Sequence, residues 1–253
     1  MKFVLLLALA AASVAQPAKP PRDPALIDDL VTANRILASE GILDGYGHVS
    51  VRNPANPNRY FLSRSLAPGL VTAADIIEYD LDSNPIGDSR LSYRERFIHG
   101  EIYKARPDVN AIVHSHSPTV IPFSVTTVKL RPICHMSAFL KEEVPNFEIR
   151  DCDGMTDLLI RNAKHGSGLA KTLGANNVAL MRGHGNVCVG SNIMMAVYRA
   201  VYTEVNARLQ AQAIALGGPI EFLAPEECDL ITGRKDTNFQ RPWAMWKERI
   251  ATD

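Results

Sequence analysis

His114 and His116 stand two residues apart at the end of an apolar run, Ala111-Ile112-Val113-His114-Ser115-His116. Alternate side chains of a β-strand share a face, so both imidazoles can reach one point and one metal ion can take both. An open catalytic metal site needs a third protein ligand. His184 is the candidate, because it sits between glycines in Arg182-Gly183-His184-Gly185, a turn in which backbone can approach a ligand closely. Glu95 lies on a helix before the histidine strand, and Arg106-Pro107-Asp108 turns that helix back toward the strand's polar end. Its carboxylate can reach the same point, as a ligand at rest or as a proton acceptor once substrate displaces it. Taken singly, each residue also has an ordinary reading. Two histidines can simply end a strand, Glu95 can be a solvated charge between Arg94 and Arg96, and His99, one turn on, can be packed or at the surface.

The elements that must position these groups follow from period and punctuation. Asp23-Pro24 reads as an N-cap with proline at the first helical position, and Leu26, Leu30, Ala33 and Leu37 recur at helical spacing until Gly41. Residues 47–51, 59–62 and 75–79 are short β-branched or aromatic segments separated by Asn, Pro and Gly, which predicts a strand meander. A helix is expected over 92–105, a strand over 111–116 and a second helix over 155–173. Strands at 178–181 and 186–189 flank the glycine-rich turn of His184. A long final helix follows Ser191, with Met194, Val197, Val201, Val205 and Leu209 as its buried stripe and Gly217-Gly218 as its stop. Interleaved strands and helices without a dividing linker predict one α/β domain over 24–253, with helices on both faces of a mixed sheet.

The chain has 253 residues, 46% of them apolar and 21% charged, which excludes disorder, collagen and coiled coil. Lys plus Arg equals Asp plus Glu at 27 each, so there is no basic surplus for nucleic acid, and a small-molecule partner is expected. Cys134, Cys152, Cys188 and Cys228 form no Cys-x-x-Cys pair and read as small apolar residues. Residues 1–15 have one Lys, an apolar run and then Ser13-Val14-Ala15, the pattern of a secretory signal peptide. Gln16-Pro17 stops that run short of the roughly 20 residues a membrane span needs. Removal after Ala15 would leave an N-terminal segment, 16–23, ahead of an exported domain with no membrane association, either periplasmic or secreted.

Glu95, the stretch His99 to Tyr103, Arg106-Pro107-Asp108, His114-Ser115-His116, Gly183-His184-Gly185 and an early Gly-x-Val-Ser-Val-Arg segment at Gly47 to Arg52 together resemble the class II aldolase/adducin family. The resemblance runs from about Ile27 to Leu216. It implies a single three-layer α/β/α domain with a central mixed, largely antiparallel sheet, assembled as a homotetramer with sites at subunit interfaces. It further implies one divalent metal per subunit on His114, His116 and His184, zinc or manganese with iron or cobalt as alternatives, and Glu95 as the acid/base.

The departures from the family's sugar-phosphate aldolases concern the substrate. His48 replaces the asparagine that helps hold phosphate, Tyr93 and Arg94 replace two phosphate-binding serines, and Ser63-Arg64-Ser65-Leu66-Ala67-Pro68 replaces a Thr-Pro-Thr-Gly loop. The tyrosine that those aldolases use as proton donor from a neighbouring subunit falls, by position, at His135. Small hydroxyl and amide donors suited to a phosphate are thus exchanged for guanidinium, imidazole and phenol groups, which suit planar carboxylates through bidentate or stacked contacts. This pattern resembles the 3-hydroxy-2-methylpyridine-4,5-dicarboxylate decarboxylase branch. It implies a metal-dependent carbon–carbon lyase acting on a hydroxyaromatic carboxylate. Arg94, Arg64, Tyr93 and Ser63 would bind substrate, and His48 or His135 would supply a proton. The alternatives are an aldolase or epimerase acting on a sugar or sugar phosphate, and a non-catalytic adducin-like interaction module.

Overall fold

The computed structural model describes residues 22–233 and 239–252, so the expected signal peptide and most of segment 16–23 lie outside the described residues. Helix α1 (Pro24–Ser39) starts as expected, because the Asp23 carboxylate accepts from the Ala25 amide and Pro24 occupies the first turn. Strands β1 (His48–Arg52), β2 (Arg59–Ser63) and β3 (Ile76–Asp80) make the antiparallel meander. A 3₁₀ turn at Arg94–Arg96 leads into α2 (Phe97–Ala105), and β4 (Ala111–Ser115) follows. The short elements α3 (Ile121–Val125), β5 (Asn146–Phe147) and α4 (Arg150–Asp153) precede α5 (Ala163–Leu173). Strands β6 (Val178–Met181) and β7 (Gly185–Gly190) flank the histidine turn, followed by α6 (Ile193–Leu216), α7 (Pro225–Thr232) and α8 (Gln240–Thr252).

The seven strands lie in the order β3-β2-β1-β4-β7-β6-β5, and all neighbours are antiparallel except β5 and β6. Alternation along the strands divides their side chains between two cores. Val49, Val51, Ala111 and Val113 pack with α1, α6 and the tryptophans Trp243 and Trp246 of α8. Tyr60, Leu62, Ile112, Val187 and Val189 pack on the other face with Ile98 and Ile102 of α2 and Leu169 and Leu173 of α5. The result is the expected three-layer arrangement, and its parity decides the site. His114 falls on the Ile112 side of β4, under α2, as do His48 and Ser50 across the β1–β4 pairing.

Three expectations need correction. The helix expected over 155–173 begins only at Ala163, where the Asn162 side chain accepts from the His165 amide. Residues before it form a loop in which Leu158 has a positive φ of 67°, because their backbone groups are bonded elsewhere, as described below. Helix α6 is not the last, and its buried face is wider than the expected stripe. Glu204, Asn206 and Gln210 are buried on it, whereas Leu209 is 36% exposed, because the polar side chains receive backbone groups of the 119–133 segment. All four cysteines are free thiols, Cys188 and Cys228 buried as small apolar residues and Cys134 and Cys152 half-buried. Among the described residues no helix is long and apolar enough to cross a membrane.

Candidate metal centre

His114 is the penultimate residue of β4, His116 follows just beyond the strand, and His184 sits in the β6–β7 turn, so the antiparallel ladder places strand end beside turn. Glu95 enters from the turn that opens α2. One ligand atom from each of Glu95, His114, His116 and His184 can be chosen so that all four lie within 4.8 Å of one another. The Nε2 atoms of His116 and His184 are 3.1 Å apart, and Glu95 Oε2 is 3.5 Å from His114 Nε2 and 3.4 Å from His184 Nε2.

The backbone prepares the ring nitrogens. His114 Nδ1 lies 3.2 Å from the Asn186 carbonyl and His184 Nδ1 lies 3.0 Å from the Leu158 carbonyl. A carbonyl only accepts, so each Nδ1 carries the hydrogen and each Nε2 presents a lone pair to the centre. His114 Nε2 is buried without a hydrogen-bond partner among the described residues. Lone pairs facing one another at such distances repel unless a proton or a cation lies between them. Three imidazoles and a carboxylate at these distances therefore fit one divalent metal.

The Ile160 amide donates to Glu95 Oε1 at 3.0 Å, leaving Oε2 toward the histidines. Burial tends to raise the Glu95 pKa, but the His114 and His184 imidazoles facing Oε2 outweigh it and hold the carboxyl well below the usual range. Burial tends to lower His184, yet Glu95 lifts it above its ordinary value. His116 is pushed down to about 4, by burial first and by its neighbouring imidazoles second. Loop 154–162 thus contributes two backbone groups to the centre, Leu158 C=O and Ile160 N–H. The sequence carries no signal for them, since any residue has those groups. His165 holds this loop, with Nδ1 3.3 Å from the Leu159 carbonyl and Nε2 2.6 Å from Asp153.

His48 faces His114 directly in the β1–β4 register, with ring centroids 5.0 Å apart. Its Nδ1 is 2.7 Å from Nε2 of His99, which is fully buried and belongs to the site's support rather than to the surface. Burial lowers His48 well below its ordinary value and brings His99 down to about 3. Tyr93 packs its ring 4.6 Å from that of His48, while its hydroxyl donates to the Leu66 carbonyl and lies 3.2 Å from buried Ser63 Oγ. Arg64 donates from Nε to Asp75 at 2.7 Å. Arg94 is exposed beside Glu95. His135 is exposed at the start of the 3₁₀ turn His135–Leu140, which packs on α6 and α7. The structure therefore brings together Glu95, His114, His116, His184, His48, Tyr93 and Ser63. It leaves Arg94 and His135 at the surface of the single chain. An open groove of about 540 Å³ lined by Lys129, Arg131, Gln210 and Phe222 shares no residue with this cluster, and the chemistry lies with the cluster.

Residues 28–211 match the model of the Class II Aldolase and Adducin N-terminal domain. The chain is 41% identical over 249 residues to Decarboxylase tropJ of Talaromyces stipitatus, covering 88% of this chain and 92% of that protein. It is 30% identical over 238 residues to a 3,4-dihydroxyphthalate decarboxylase of Arthrobacter keyseri, with the same two coverages, 88% and 92%. Among solved structures, L-fuculose 1-phosphate aldolase from Glaciozyma antarctica PI12 superposes with a TM-score of 0.73 at 26% identity, over 92% of this chain and 93% of that one.

Proposed function

The chain belongs to the class II aldolase and adducin family, and from that premise we propose that it is a divalent-metal-dependent lyase that decarboxylates a hydroxyaromatic carboxylate. The observation that carries the reading is the 41% identity to a decarboxylase across 88% of the chain, in a protein whose four ligating side chains converge. His114, His116 and His184 would hold the metal, zinc or manganese, with iron or cobalt as alternatives. The metal, when bound, supplies Lewis-acid stabilisation of charge developing on substrate oxygen.

The protein's own groups do the rest. Cleavage breaks the bond between a ring carbon and its carboxylate and leaves the electron pair on the ring, so a proton must be delivered to that carbon. Glu95 is placed to hold or move a proton at Oε2, because the Ile160 amide secures Oε1. His48 packs against His114, Tyr93 against His48, and buried Ser63 against the Tyr93 hydroxyl. His48 would donate to a substrate oxygen or supply the proton, and His135 of a neighbouring copy in a homotetramer would be the alternative donor. Arg94, exposed one residue from Glu95, would hold a further carboxylate, assisted by Arg64. Loss of a phosphate-sized set of small donors at His48, Tyr93 and Arg94 disfavours a sugar phosphate. We also propose that the protein is exported after removal of residues 1–15.

The test is to load the protein with zinc or manganese and to supply hydroxyaryl mono- and dicarboxylates and, separately, ketose phosphates, following carbon dioxide and aldehyde. Carbon dioxide from at least one acid is expected. Aldehyde from a ketose phosphate, with no carbon dioxide from any acid, would replace the decarboxylase reading by an aldolase. Glu95→Gln, which keeps an acceptor for the Ile160 amide, should retain the metal yet lose roughly 10²–10⁴ in turnover, the range of general acid/base catalysis.

A further inference from the structure

Beside the three imidazoles of the metal cluster, a fourth ring, that of His48, packs directly against His114. The fourth, His48, heads a buried chain of side-chain hydrogen bonds that leads away from the centre. His48 Nδ1 is 2.7 Å from His99 Nε2, His99 Nδ1 is 2.6 Å from Ser50 Oγ, and Ser50 Oγ is 2.8 Å from Tyr103 Oη. His48 is 3% exposed, Tyr103 1%, and Ser50 and His99 not at all. Arg52 fixes the far end, with its guanidinium 4.6 Å from the Tyr103 ring centroid and its Nη2 donating to the Tyr103 carbonyl at 2.8 Å.

We propose that Tyr103, Ser50 and His99 are positioning residues that lock His48 in the tautomer carrying its hydrogen on Nε2, so that His48 offers the site a fixed hydrogen-bond donor and stays off the metal. The number of hydrogens along the chain decides the tautomer. Both rings are buried in contact with other imidazoles and rings rather than with a carboxylate, so each carries one N–H. Among the described residues the only partner of the Tyr103 hydroxyl is Ser50 Oγ, so Tyr103 must donate there. Ser50 then has its own hydrogen for His99 Nδ1. His99, with Nδ1 accepting, carries its hydrogen on Nε2 and donates to His48 Nδ1. His48 is left with its hydrogen on Nε2.

The opposite direction runs from His48 through His99 and Ser50 to Tyr103 and strands the Tyr103 hydroxyl hydrogen in the core without an acceptor. An unpaired buried donor is disfavoured by roughly tenfold or more in population. The lock has two consequences. An Nε2 that bears hydrogen has no lone pair for a cation, so the cluster keeps three imidazole ligands although a fourth ring lies 5.0 Å from His114. The same N–H suits a carboxylate or phenolate oxygen of the substrate. This second consequence rests on the decarboxylase reading, whereas the tautomer does not.

The test is to record long-range 1H–15N correlation spectra of zinc-loaded protein labelled with 15N-histidine, His48 being assigned by its loss in His48→Asn. The expected pattern is a pyrrole-type Nε2 and a pyridine-type Nδ1 for both His48 and His99. A pyrrole-type Nδ1 on His48 in the wild-type protein would overturn the proposal without any variant having to fold. His99→Glu, whose carboxylate only accepts, should move the His48 hydrogen to Nδ1, whereas His99→Gln can still donate an amide hydrogen and should leave it on Nε2. With an accepted hydroxyaryl substrate, His99→Glu should lower kcat/KM about 10–100-fold, the loss of one hydrogen bond to a charged oxygen, and His99→Gln should recover most of it. No carbon dioxide from any acid, together with the expected spectrum, would refute the decarboxylase reading and leave the tautomer lock standing.

Discussion

Gly185→Ala tests whether the metal centre depends on how closely two backbones approach. Gly185 opens β7 between His184 and the β4 ladder. A Cβ added there would lie 2.1 Å from the Ser115 carbonyl oxygen, 3.1 Å from its carbon and 3.2 Å from His116 Cδ2. Ordinary contact begins at 3.4 Å, so relief demands a displacement of about 1.3 Å. The obstacle is backbone of the strand that carries His114, and no side-chain rotation removes it. Overpacking of this kind costs about 1–3 kcal/mol, which in a chain of this size lowers the thermal midpoint by roughly 2–12 °C. Metal binding should suffer more. Ligand distances must hold to about 0.2 Å, and the wedge separates His116 and His184, whose Nε2 atoms are now 3.1 Å apart. We expect at least about a 100-fold loss of metal affinity, the upper end of what supporting residues alone impose. The comparison is Gly183→Ala, one residue before His184. It has a positive φ of 65° but a nearest contact of 3.6 Å, to Val125. That variant should lose about 1–2 kcal/mol to left-handed strain while keeping its metal. Elemental analysis with a chelator titration and thermal unfolding would measure both proteins. Gly185→Ala with wild-type metal content and an unchanged midpoint would refute the reasoning.

His114→Ala should abolish stoichiometric metal while leaving the fold cooperative, which elemental analysis and circular dichroism would check. Burial pushes the Cys188 thiol up to about 12, so a thiol reagent should modify the half-buried Cys134 and Cys152 first and reach Cys188 only on unfolding. Hydrogen bonds from Arg150, joined by Arg182, hold Glu148 down at about 2. A depressed carboxylate stabilises the fold above its unfolded pKa, about 4.3, and that contribution is lost as pH falls toward about 2. The midpoint difference between wild type and Glu148→Gln should therefore be full at pH 5 and shrink on acidification, as a pH series of melting curves would show.

The side chains of the His/Glu cluster were legible because their signal is local. A strand alternates whatever surrounds it, so His114 and His116 had to share a face, and a histidine between glycines at 183 and 185 had to sit in a turn. Glu95 followed from the Arg106-Pro107-Asp108 turn that folds its helix back toward the strand end, and the family resemblance implied its acid/base role. The same local logic produced the meander, the start of α1 and the end of α6. It misread 155–162 as helix, because the apolar residues Leu158, Leu159 and Ile160 are there to seat a loop whose carbonyl and amide bond His184 and Glu95. Those are backbone groups, alike in every sequence, and only the folded chain decides where they point. The sequence left His99 as either a packed or a surface histidine, and only β1 lying beside β4 with α2 over that face put it in the core between His48 and Ser50. The sequence by itself determined which side chains could bind a metal and move a proton. The tertiary structure decided which nitrogen of each ring faces the centre, because that choice belongs to hydrogen-bond partners far away in the chain.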